Sequence, residues 1–148
     1  MAKGFIPGCV VVLAVISAGC KKDNSFEAEF KKATKIIAQR DKWPESPEDV
    51  AAAFWDARSQ KNYAEMRILW PGSASFNWPE ICAKDGDAKY VFGKARILTE
   101  RRNEPIEEAE VPYALEEYFK EHGSHNLTMR LKALNTQKGK RWYIYSGN

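Results

Sequence analysis

Hydrophobic positions between Ser46 and Leu69 recur at helical spacing, and the rest of the chain can be laid out around them. Val50, Ala53, Phe54 and Ala57 make one apolar stripe. Ser46 stands where an N-cap accepts a backbone N–H, Pro47 suits the first turn, and Asp49 occupies the place of a capping acid. This pattern predicts a helix that breaks near Lys61–Asn62. Tyr63, Met66, Leu69 and Trp70 begin a second, shorter stripe, which Pro71–Gly72 stops. Neither helix hides its apolar face alone, so both need a sheet, and the C-terminal half has the pattern to supply one.

Ahead of this pair, Asn24–Gln39 reads as a helix with Phe26, Phe30, Ala33 and Ile37 on one face and a capping box at Asn24 and Glu27. It is either a packing element laid over the domain or a stalk, and its apolar stripe favours packing. Behind the pair, Trp70–Ala83 holds two Trp-Pro steps, each disfavouring helical backbone at the Trp. The expectation there is a loop, then a short helix from Trp78 or Pro79 to about Lys84. The aromatic residues of that loop either plug the open end of a core or line a groove.

Alternation takes over after the turn at Lys84–Asp87. Tyr90–Leu98 is expected as a strand with Val91, Ala95 and Ile97 on one side, bent or bulged at Gly93. Arg101–Pro105 reads as a loop. Glu107–Lys120 carries two patterns. Pro112–His122 has helical propensity between a Pro and Gly123, whereas Val111, Tyr113, Leu115 and Phe119 alternate with Glu110, Glu116 and Lys120. Alternation is preferred, because strand pairing commonly overrides local propensity. Residues 121–125 then form a turn into a strand over Asn126–Leu134, and Gln137–Lys140 turns into a last strand, Arg141–Tyr145. Helices followed by an antiparallel meander make an α+β layout.

Composition narrows the class. With 44% hydrophobic and 29% charged residues in 148, the chain has enough apolar matter for one packed domain and is not of the disordered type. The net charge of +3 is small and the basic residues are interleaved with acids, so no nucleic-acid partner is expected.

The N-terminus indicates location. A positive start at Lys3, an apolar run over Phe5–Ile16 too short for a membrane span, and Ser17-Ala-Gly-Cys20 read as a secretory signal. Ala-Gly-Cys resembles the lipobox of bacterial lipoproteins, with Ser17 where Leu is commonest. That resemblance implies cleavage before Cys20 and its lipidation, hence a membrane partner through Cys20. Lys21 after the Cys resembles the sorting signal for the outer membrane, facing the periplasm. The alternative is a soluble secreted protein cut nearby. The division expected is 1–19 as signal, 20–45 as anchor, accessory helix and linker, and 46–148 as the domain. Cys82 remains unpaired and reads as a small hydrophobe.

SPEDVAAAFWDARSQKNYAEM, EVPYALEEYF and LTMRLKALNTQKGKRWYIY together resemble the nuclear transport factor 2-like, or cystatin-like, superfamily, particularly its small bacterial lipoproteins. The resemblance covers about Ser46–Tyr145 and implies a cone: a curved antiparallel sheet wrapped around a helix, with a cavity at the wide end. Enzymes of that scaffold place acid and base groups inside the cone, where burial moves their pKa. Glu117 is the acid on offer if its strand turns it inward; otherwise it is an exposed acid beside Arg130 or Lys132. Trp55, Trp70, Trp78, Tyr113 and Glu117 are the candidate binding residues. His122 and His125 fall in a turn and are expected to be solvated, so no metal site is expected. No nucleophile turn, phosphate loop or dinucleotide fingerprint occurs, and no cofactor or catalytic set is assigned. The expected function is therefore a membrane-anchored envelope lipoprotein that binds a small apolar ligand or an envelope protein. The alternatives are an acid/base enzyme using Glu117, or a structural part of an envelope assembly.

Overall fold

The computed structural model describes residues 25–98 and 107–147. The predicted signal, Cys20 and the Arg101–Pro105 loop lie outside them. Helix α1 covers 25–39. It is followed by α2 (Pro47–Ser59), α3 (Tyr63–Leu69), a 3-10 turn (Pro71–Ser73) and α4 (Trp78–Asp85). Strands β1 (Tyr90–Phe92), β2 (Arg96–Leu98) and β3 (Glu108–Leu115) precede α5 (Glu116–His122), and β4 (Leu127–Thr136) and β5 (Gly139–Gly147) close the chain. The sheet is antiparallel in the order β1-β3-β4-β5, with β2 also on β3, and it curls into a half-barrel against the helices. The fold class is α+β.

The central helix forms as its sequence dictates. Ser46 Oγ accepts the Asp49 N–H at 3.1 Å, with Pro47 at the first helical position. The helix stops where Lys61 takes a φ of 56°, and Asn62 caps α3 by accepting the Glu65 N–H. Val50, Phe54 and Ala57 meet Met66 and Leu69 and the inward residues of the sheet in one buried cluster. Those inward residues are Ala109, Val111 and Tyr113 from β3, Met129 and Leu131 from β4, and Trp142 and Ile144 from β5. The face of β3 drawn from alternation turns inward at Val111 and Tyr113, while Leu115 at the end of the strand is exposed.

Helix α1 packs over the domain. Ala33 and Ile37 are buried, Phe30 meets Tyr143 edge-on, and Arg141 of β5 donates from Nη1 to the carbonyls of Ile37 and Arg40. Arg141 and Tyr143 alternate with Trp142 and Ile144, so the helix covers the outer face of β5 while α2 fills the inner one.

Two expectations need correction. Tyr90–Leu98 is two short strands, β1 and β2, both paired to β3 and separated by a bend at Gly93. The bend changes which residues face the core: Tyr90, Phe92 and Ala95 pack against it, while Ile97 is exposed. A Cβ on Gly93 would sit 2.8 Å from Pro112 Cγ and 2.9 Å from His125 Cε1, so only glycine fits there. Glu107–Lys120 is a strand only as far as Leu115, and α5 follows. The reason lies in the partners. Pairing with β1 ends at Tyr90↔Leu115 and pairing with β4 ends at Tyr113↔Leu127, so the backbone beyond has no ladder to join. Local helical propensity then decides, and Gly123 ends the helix at a φ of 66°.

Candidate functional site

The inside of the half-barrel is lined with aromatic rings, and Phe54 stands among them. Its ring meets Trp55, Trp70 and Trp78 edge-on at 5.5, 5.9 and 5.6 Å. Trp70 and Trp78 close one end. Trp78 is buried and donates from Nε1 to Ser73 Oγ, which in turn donates to the Trp70 carbonyl. Phe76 lies over both rings from outside. Of the two readings of the Trp-rich loop, the plug describes what Trp70 and Trp78 do.

Trp55 points toward the other end, where a cleft of about 800 Å³ opens between the end of α2, the α4–β1 connection and β1. Trp55 and Tyr90 lie almost parallel on its wall, ring centroids 4.2 Å apart and planes 19° apart. The indole Nε1–H of Trp55 is buried with no acceptor among the described residues. Tyr113 lies behind this pair, 6.1 Å from Trp55 and 5.8 Å from Tyr90. Burial raises its phenol pKa above the ordinary value, and Tyr90 adds to the rise. The structure thus brings Trp55 and Tyr113 together, and Phe54 stands between Trp55 and the rings of Trp70 and Trp78.

Arg58, one helical turn beyond Trp55, completes the wall. Its guanidinium carbon is 4.9 Å from the Trp55 ring centre and 5.9 Å from that of Tyr90. The side chain is only 8% exposed, and Nη2 donates to Asp85 Oδ2 at 2.9 Å. Sequence reasoning passed over this residue. The signal was available, since positions i and i+3 share a helix face, so Arg58 had to accompany Trp55. Cys82 also reaches the cleft wall, half-buried and as a free thiol.

Glu117 does not enter this arrangement. It is exposed on the first turn of α5, so of the two alternatives the inward aim does not hold, and the exposed acid sits on a helix and not on a strand. Of the two histidines, only His125 departs from the expected solvation. His122 is exposed, whereas His125 is half-buried between the Phe119 ring, 4.8 Å away, and the Gly93 bend, with its Nε2 unpartnered among the described residues. A smaller groove of about 290 Å³ runs between α1 and α3, where Ala33, Ile36, Ala64 and Ile68 are flanked by Glu29, Lys32 and Arg67.

The fold and the cleft define an α+β domain with helices on a curled antiparallel half-barrel. Comparison of the chain with protein-family models, with curated proteins and with solved structures finds no match.

Proposed function

We propose that this protein is a bacterial envelope lipoprotein, held by a lipidated Cys20 in the outer membrane on its periplasmic side. Its nuclear transport factor 2-like domain binds a small, largely apolar ligand without catalysis. The observation that carries the binding role is the cleft of about 800 Å³ walled by the parallel rings of Trp55 and Tyr90. That volume lies in the range of small-molecule sites, and the flat rings offer an apolar surface beside charged residues, Asp56, Arg58 and Lys61 among them. Support for the anchor is the apolar run over Phe5–Ile16 followed by Ala-Gly-Cys20. Two or three acyl chains, at about 0.8 kcal/mol per buried methylene, hold a protein to a bilayer durably. The exposed position of Glu117 gives the acid/base reading no support.

Two measurements test the reading. Wild-type protein made in cells fed labelled palmitate is expected to carry label and sediment with membranes, and Cys20→Ser to lose both. An unlabelled wild-type protein would remove the anchor. For the cleft, 2-naphthamide, a neutral planar probe, is expected to shift the Trp55 indole N–H resonance and leave that of Trp78 in place. No shift with any planar probe would remove the binding role.

A further inference from the structure

The geometry points to a planar aromatic carboxylate as the ligand class of this cleft, an inference that rests on the binding role proposed above and goes beyond it to the ligand's charge and shape. The charges around the mouth are mixed. Exposed Lys61 and Lys89 face Asp56 and Asp87, with Glu116 nearby, and water screens them. Arg58 is different because it is deep. Its side chain is 8% exposed.

The partner of Arg58 is a poor match for that burial. Asp85 is 49% exposed and takes a single N–H, whereas a guanidinium has five to give. Among the described residues no other protein acceptor meets the Arg58 side chain; its remaining contacts are with the faces of Trp55 and Tyr90. A carboxylate entering the cleft takes two parallel N–H groups from the fork, a geometry stronger than the single bond to Asp85. The aromatic wall beside the guanidinium then receives a flat ring attached to that carboxylate. Inorganic anions leave this wall and most of the 800 Å³ unused, and cations meet Arg58 at the bottom.

The experiment compares 2-naphthoate with 2-naphthamide, near-isosteres that differ in charge, by titrating each into the purified full chain and following the Trp55 indole resonance. In the wild type the carboxylate is expected to bind about tenfold tighter than the amide, as befits charge-assisted hydrogen bonds. Arg58→Gln is expected to bring the two to parity. Asp85→Asn keeps the size of the side chain and removes the charge that competes for Arg58, and with an unchanged far-UV spectrum confirming the fold it is expected to tighten naphthoate severalfold with no effect on naphthamide. Equal affinities in the wild type, or an Asp85→Asn protein indistinguishable from it, would overturn the assignment while the cleft remained a binding site. If neither probe binds, the binding role itself falls.

Discussion

At the scale of single residues, the bend between β1 and β2 is tightly hemmed in at a position that carries no side chain. Gly93 donates its N–H to the Pro112 carbonyl at 2.8 Å while its Cα faces the Pro112 ring and the His125 imidazole. Two residues on, the Ala95 N–H is satisfied by Glu48 Oε1 of α2 at 2.6 Å, so the bend is tied to the central helix. Gly93→Ala would place a methyl group inside contact distance of two rings, one of them in a rigid pyrrolidine. It is expected to destabilise the fold by ~1–3 kcal/mol, the usual cost of overpacking. Urea unfolding followed by tryptophan fluorescence measures this, and a midpoint equal to wild type would show that the bend has slack. The sequence announced a break at this glycine but not its neighbours, because Pro112 and His125 are remote in the chain. Arg58 escaped notice for a related reason. Arginine is mostly a surface residue, and only the Trp55–Tyr90 stack, a contact between α2 and β1, gives it a buried place.

At the scale of elements, α1 is held by charges placed at its end. The last carbonyls of a helix lack partners inside it, and its C-terminus is the negative end of the helix dipole. Arg141 answers both by donating to Ile37 O at 2.6 Å and Arg40 O at 2.5 Å from a buried site on β5. Arg40 makes a two-pronged pair with Glu65 of α3, and Lys138 reaches Gln39 O and Asp41 from the β4–β5 turn. Lys138 also holds the Asp41 carboxyl below its ordinary pKa. Replacing Arg141 by Met keeps much of its bulk and removes the bonds to α1. Hydrogen bonds from charged groups are worth ~1.5–3 kcal/mol, so the amides of α1 are expected to exchange about 10- to 100-fold faster. Those of β4 should stay protected. Hydrogen exchange read residue by residue decides it, and unchanged rates over 33–40 would mean that the apolar contacts of Ala33 and Ile37 suffice. The α1 face and the inner faces of β3 and β4 were legible because periodicity names which side of an element is apolar. The change from β3 to α5 was not. Both patterns are present in 107–120, and the choice at Leu115 depends on where neighbouring strands end, which no local window contains.

At the scale of the whole molecule, α2 covers the inner face of the sheet and α1 the outer face of β5, and each cover buries a tyrosine. Tyr113 faces inward among Trp55, Tyr90 and Phe92, while Tyr143 lies on the outer face of β5 beneath α1. Burial raises both phenol pKa values above the ordinary 10.0, so the folded protein keeps protons that the unfolded chain releases. Once the pH exceeds the unfolded value, the unfolded state binds fewer protons than the native one, and stability falls as pH rises until the folded groups titrate in turn. The fall has a ceiling of about 1.4 kcal/mol per pH unit for each tyrosine. Tyr113→Phe and Tyr143→Phe should each flatten this alkaline slope, and the double variant should flatten it further, because the two rings lie on opposite faces and act independently. Comparing slopes rather than absolute stabilities separates proton release from any other contact that either hydroxyl makes. Urea unfolding from about pH 8 to about pH 11 supplies the slopes. If Tyr143→Phe alone left the slope unchanged, water would be reaching the outer face of β5 beneath α1. The helix would then be a loose cover and not a layer of the fold. If Tyr113→Phe alone did so, water would be reaching past Trp55 and Tyr90 into the half-barrel, and the aromatic wall would be the inner edge of a channel.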